Sequence, residues 1–224
     1  MSAAGSRPPK PVIPSFSAFR AMLREDYAAN SRMFWAPGFQ AVATYRLGVW
    51  CDSIRSRFIR FPVRLLHRLL YVFVRNFYGI ELPVHTRVGR RLRIVHQHGI
   101  VIHPHAVIGD DCILRQGVSI GALRAGQGSE PPVLGDRVEV GAGAILIGPI
   151  RIGDDAVIGP NAVVMTHVPA GAMVVSPQAR IMAPPPRRAP AEPTAEPAAT
   201  TTPDPAASDA DSPPAAEPPR RALR

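Results

Sequence analysis

The chain has 224 residues, of which 46% are hydrophobic and 26 are proline, so one sizeable core is expected beside a part that cannot fold. Its formal charge of +9 is uneven: residues 1–80 carry 12 basic and 3 acidic side chains, residues 81–183 carry 9 and 8, and residues 184–224 carry 5 and 6. No aromatic and basic nucleic-acid motif accompanies that excess, and two cysteines, Cys51 and Cys112, set no disulfide framework.

Residues 1–14 are polar and Pro-rich and are expected to be disordered. Residues 15–80 read as helical. Ser15 or Ser17 suits a helix cap, and Phe19, Met22 and Leu23 share one face behind it. A second helix is expected over Phe39–Ile54 and a third over Pro62–Tyr78, with Pro62 near its start. The most apolar stretch, Phe61 to Val74, is interrupted by Arg64, His67 and Arg68 and is too short to span a bilayer. Its basic amphipathic pattern suits packing on the rest of the fold or on a neighbouring subunit, ahead of a peripheral contact with anionic membrane. No apolar leader core is visible at the N-terminus, so a cytoplasmic protein is expected.

From residue 81 the helical spacing gives way to a period of six. Aliphatic residues stand at 82, 88 and 94, then at 102, 108, 114 and 120, then at 134, 140, 146, 152, 158 and 164. Glycine follows many of them, and small or modest apolar residues such as Ala106, Cys112, Val118, Ala144 and Ala156 recur four places on. Each such hexad makes one short strand and one turn, and three make a triangular coil with the aliphatic residue inside. The fold class expected over 81–183 is therefore mainly β, a left-handed parallel β-helix of hexapeptide repeats, behind an N-terminal α-helical region. A Pro/Ala-rich tail from 184 to 224 lacks the large apolar residues a core needs.

Two steps break the period. One, from Ile94 to Ile102, holds His96, Gln97, His98 and Gly99. The other, from Ile120 to Leu134, holds a loop of about Leu123 to Pro131 with Gly126 and Gly128. A purely structural repeat needs neither insertion.

The segments IVHQHGIVIHPHAVIGDDCILRQGVSIG and GDRVEVGAGAILIGPIRIGDDAVIGPNAVV, with GFQAVATYRLGVW ahead of them, resemble the serine O-acetyltransferase branch of the hexapeptide-repeat acyltransferases. The match covers about residues 20–182. The resemblance implies acetyl-CoA as co-substrate and a hydroxyl acceptor, L-serine first, with a sugar hydroxyl in polysaccharide or glycolipid assembly as the alternative. It places the catalytic general base on His96, whose imidazole titrates near working pH. The orienting carboxylate falls on Glu81, fifteen residues earlier. His98 is the rival base and a substrate-side residue, and Asp26 is a loosely aligned substrate contact. Three positions depart from the branch: its acidic residue falls on Val95, and its Arg-His pair falls on Glu130 and Pro131.

The resemblance also implies that acetyl-CoA lies along a groove between subunits of a homotrimer. Gly121, Ala122, Gly141, Ala142, Gly159 and Ala162 are small enough to let a pantetheine arm approach the backbone, although coil corners demand small residues for their own packing. Arg180 is placed to face the nucleotide phosphates. His96/His98 and His103/His105 repeat an H-x-H pattern, but no acidic or Cys ligand is spaced to complete a metal site, so no metal is expected.

Overall fold

The computed structural model describes residues 11–124, 130–180 and 182. The expectations for residues 1–10, for 125–129 and for the tail from 184 lie outside the described residues. The chain divides into two units, Met1–Ala179 and Arg180–Arg224, and the architecture below is that of the first.

Three helices come first. α1 covers Phe16–Ala29, α2 Pro37–Cys51 and α3 Arg57–Phe77. Ser15 caps α1, its hydroxyl accepting the Ala18 N–H at 3.1 Å. α2 begins two residues before the expected Phe39 because Pro37 presets the first turn. α3 begins five residues before Pro62, which lies inside it. The proline ring forfeits one early backbone bond without ending the helix. Ile13, within the segment expected to be disordered, is buried in the core.

The rest is a parallel β-helix. Coil one is β1 (Ile80–Glu81), β2 (Arg87–Val88) and β3 (Arg93–Val95); coil two is β4 (Ile100–Ile102), β5 (Val107–Ile108) and β6 (Ile113–Arg115). Coil three is β7 (Ser119–Gly121), β8 (Val133–Leu134) and β9 (Glu139–Val140), and coil four is β10 (Ile145–Ile147), β11 (Arg151–Ile152) and β12 (Val157–Ile158). β13 (Val163–Val164) and β14 (Met173–Val174) close the fifth, with a bridge from Val168 to Ile152 on the third side. The strands stack into three sheets: A is β1-β4-β7-β10-β13, B is β2-β5-β8-β11 and C is β3-β6-β9-β12-β14.

Ile80 pairs with Ile100, Val101 with Ser119, Ser119 with Ile145 and Ile145 with Val163, so successive coils are offset by 20, 18, 26 and 18 residues. Eighteen is three hexads. The surpluses of two and eight are the two insertions seen in the sequence. The last offset is shorter: Val157 pairs with Met173, sixteen residues on. All thirteen aliphatic residues of the six-residue series are buried inside the prism, and the stacked coils satisfy one another's backbone groups.

The corners repeat as strictly as the strands. Between sheets B and C, Arg91, Asp111, Arg137 and Asp155 stack in the left-handed region at φ of 56–59°. They pair as bidentate Arg91–Asp111 and Arg137–Asp155 contacts of 2.5–2.8 Å. Beside them the Asp110, Asp136 and Asp154 carboxylates accept the N–H groups of Arg90, Asp110 and Asp136 in the coil before. Gly109 precedes that stack because a Cβ there would lie 2.3 Å from the Gly135 carbonyl oxygen.

A buried polar network joins the helices to coil one. Asp26, fully buried, holds Arg46 from two sides, and Arg46 also donates to the Val88 and Gly89 carbonyls. Asn30 donates to the Leu92 carbonyl at 2.9 Å and accepts the Ile94 N–H at 3.1 Å, clamping the end of α1 to β3. Among the described residues no helix is long and apolar enough to cross a membrane.

Candidate active site

The two-residue insertion forms the corner between β3 and β4. His96, His98 and Gly99 all have positive φ there, at 67°, 74° and 72°. Two non-glycine residues held in that region are a local strain of the kind that collects at functional sites. The corner is pinned from both neighbouring coils: the His98 N–H donates to the Tyr78 carbonyl, the Ile100 N–H to the Gly79 carbonyl, and the Gly117 N–H to the His98 carbonyl, at 2.8–3.0 Å. Gly79, Gly99, Gly117 and Gly143 stack along this edge, all left-handed. A Cβ on Gly99 would meet Gly117 Cα at 3.2 Å.

Both imidazoles are exposed, and they face different surroundings. His96 and Gln97 line a cavity of about 330 Å³ whose opposite wall is the connection between α1 and α2, with Met33, Trp35, Ala36 and Pro37. His98 is not part of that lining; its ring sits over Gly79. The cavity wall is prebuilt. Tyr27, Phe34 and Phe39 interlock with ring centroids 4.3–5.9 Å apart. The Gln40 amide donates to the Phe34 carbonyl and accepts the Tyr78 hydroxyl. α2 lies directly on β3, because a Cβ on Gly38 would strike the Ile94 carbonyl oxygen. Trp35, 73% exposed, escaped the sequence reading because residues 30–36 carry no period; the only signal was an exposed aromatic between two helices.

Glu81 lies one coil below, the last residue of β1, on the outward column of sheet A with Val101, Ser119, Ile145 and Val163. It is half-buried, and its charge helps burial push the neighbouring Tyr71 hydroxyl up. No hydrogen bond or ion pair joins Glu81 to His96, and Glu81 stands opposite Val101 of β4 rather than at the histidine corner. Val95 precedes the histidine corner as the last residue of β3.

Asp26 is corrected outright. Both its carboxylate oxygens face Arg46 in the core, where burial pushes the carboxyl above its ordinary value against the pull of the guanidinium. It is fully buried, and its part in the fold is to anchor α1 and α2 to coil one. The series of small residues divides as well. Ala162 is buried in the prism, and a Cβ on Gly141 or Gly159 would lie 2.7–2.8 Å from the backbone of the next coil. Those three are small for packing. Gly121 has open space around its Cβ direction, and Ala122 beside it is half-buried. Ala142 receives the Asn161 N–H on its carbonyl. Arg180 lies in the second unit and is left out of this site.

The longer insertion leaves at the opposite edge of sheet A, after β7, and returns at Glu130 and Pro131 before β8. His103 and His105 lie at the corresponding corner of coil two, ring centroids 5.6 Å apart. Burial and the charge of His105 hold His103 below the ordinary histidine range. Among the described residues no three His, Cys, Asp or Glu side chains are grouped to hold a metal ion.

Residues 131–165 match the bacterial transferase hexapeptide family (six repeats). The serine acetyltransferase of Helicobacter pylori is 38% identical over 162 residues, 71% of this chain and 91% of that one. The chain belongs to the serine acetyltransferase branch of the hexapeptide acyltransferases. Within that branch, the serine acetyltransferase of Mycobacterium tuberculosis is 37% identical over 166 residues, covering 73% of this chain and 69% of its own. WcaB of Escherichia coli K12, assigned to colanic acid biosynthesis as an acetyltransferase, is 34% identical over 164 residues, 70% of this chain and 96% of its own. Soybean serine acetyltransferase complexed with serine superposes with a TM-score of 0.58 at 26% identity, over 73% of this chain and 69% of that one. The serine acetyltransferase isoform 3 of Entamoeba histolytica, in complex with cysteine, shares the fold with a TM-score of 0.61 at 24% identity; it matches 76% of this chain, which spans 62% of that enzyme.

Proposed function

We propose that this acyltransferase moves an acetyl group from acetyl-CoA to the hydroxyl of L-serine, giving O-acetylserine for cysteine synthesis, with His96 as general base. The observation that carries the reading is the His96 imidazole, strained at an inserted corner and facing a prebuilt cavity. A hydroxyl is a weak nucleophile at neutral pH. Imidazole accepts its proton as the oxygen attacks the thioester, then returns it to the departing thiolate. Glu81, one coil below, favours the imidazolium by its charge. Acetyl-CoA lies along sheet A beside Gly121 and Ala122, where the backbone is open. His96 and the long loop border opposite edges of sheet A. A homotrimer, which sets one subunit's edge against the next subunit's other edge, would bring them to one cleft. The reading is of a cytoplasmic enzyme that needs no metal.

A second acceptor class has its own support. Glu130 and Pro131 replace the Arg and His that the branch presents to an amino-acid carboxylate, and a bidentate guanidinium has no substitute there. The cavity beside His96 is roomy for serine, and the Trp35 indole offers a flat apolar face of the kind that a sugar ring stacks on. The deciding experiment measures CoA release from acetyl-CoA with L-serine and with a panel of sugars. Release with serine supports the first reading and release with a sugar alone supports the second. No release with any hydroxyl acceptor contradicts both.

A further inference from the structure

α3 is unlike α1 and α2. In a helix of 21 residues only Val74 is buried. Successive residues turn by about 100°, which divides α3 into three faces. Val63, His67, Leu70, Tyr71 and Val74 point at the protein and are buried or half-buried. Arg57, Arg64, Arg68 and Arg75, spaced by seven, four and seven, form one exposed strip beside that face. The remaining wide face is apolar and open: Phe58 is 85% exposed, with Phe61, Leu65, Leu66, Leu69 and Phe73 behind it. Within the single chain this face stays open, so of the two expected packings the one on the β-helix is not met, and the one on a neighbouring subunit is left for the test below.

We propose that α3 docks the protein on an anionic lipid surface, lying in the plane of the membrane. The order of its faces is the one such a helix needs: protein above, guanidinium groups at headgroup level, aromatic and leucine side chains in the acyl boundary. Charge decides between occupants. The helix contains no acidic residue, and among the described residues the one ion pair its arginines make is with Asp52, 3.0 Å from Arg64. A second copy of α3 would set arginine strip against arginine strip, whereas phosphate headgroups neutralise it. At the N-terminal end, Arg57, Arg60 and Arg64 gather beside Phe58 and Phe61. Three guanidinium groups and two rings there suit a lipid phosphate with its first methylenes.

Co-sedimentation of the full chain with vesicles tests this. Phosphatidylcholine vesicles containing about a third phosphatidylglycerol should bind the protein at least about tenfold more tightly than phosphatidylcholine alone, and raised salt should weaken the binding. Arg57→Gln/Arg68→Gln/Arg75→Gln should abolish the preference for anionic vesicles. Phe61→Glu/Leu65→Glu should lower binding at least about tenfold, with the oligomer mass by light scattering unchanged. The proposal is overturned if the wild type shows no anionic preference or if the double variant binds vesicles as before. It is equally overturned if that variant breaks the oligomer, since the face then lies between copies. Where the oligomer mass is unchanged, acetyl-CoA consumption in solution stays as in the wild type whichever way vesicle binding falls, which separates this test from that of the proposed chemistry.

Discussion

The β-helix repeats one solution coil after coil: an aliphatic side chain inward, a small residue at the corner and, in coils two to four, a carboxylate holding the turn of the coil before. Its neighbour, the helical region, uses contacts that occur once each. Asp26 and Arg46 bury a charged pair against the Val88 and Gly89 carbonyls, Asn30 clamps β3, and three aromatic rings fix the α1–α2 connection. The repeat spreads its stability over many similar contacts, while the helical region concentrates its own in a few. The cavity beside His96 lies where the two meet, so one wall is set by the register and the other by the unique contacts.

The sharpest break in that comparison is Arg46→Met. It strands the buried Asp26 carboxylate, and chemical denaturation should show a loss of about 3–5 kcal/mol, with acetyl transfer falling as the cavity wall detaches. In the β-helix, Leu114→Ala and Leu146→Ala should each cost about 2–5 kcal/mol. The two values should be alike, because each leucine fills the same inward position of the repeat, one in coil two and one in coil four; a large disparity would show that the coils are not equivalent. Glycine substitutions sharpen the picture at the corners. Gly141→Ala should cost about 1–3 kcal/mol, since the added methyl meets the next coil. Gly121→Ala should leave the melting temperature unchanged and raise the KM for acetyl-CoA, because its side lies open.

The smallest effect concerns the Arg–Asp corner stack. The Arg137 guanidinium holds the Asp155 carboxyl below its ordinary value, and Arg91 does the same for Asp111. A depressed carboxylate stabilises the fold above its unfolded pKa, and that contribution is lost as pH falls through the lower folded pKa. Both pairs are largely exposed, so solvent screens them. Arg137→Gln should therefore barely shift the melting temperature at pH 7, and the difference from wild type should vanish at acid pH.

The same contrast explains what could be read from the sequence. Period is legible, so the inward residues from Leu82 to Val164 and both insertions were visible before the structure. The two insertions then pointed to His96 and to the loop. The shortened last coil, with Val168 and Val174 inside, follows the end of the six-residue series and gave no count to extend. Contacts used once leave no pattern. Asp26 stands in the sequence as an acid near a helix end and gives no sign that Arg46, twenty residues on, will bury it. Trp35 and the cavity wall were invisible for the same reason. Ala162 and Gly141 show that a small residue satisfies packing and ligand approach equally well in one dimension, and only the distance to the next coil separates them.

The account turns on which histidine of the inserted corner takes the proton. Steady-state acetyl transfer by His96→Ala and His98→Ala, with the acceptor that the wild type uses, decides it. His96→Ala should lower kcat about a hundredfold or more, as loss of a positioned general base does, with acetyl-CoA binding nearly unchanged and His98→Ala much milder. An enzyme that keeps its turnover without His96 and loses it without His98 would contradict the assignment.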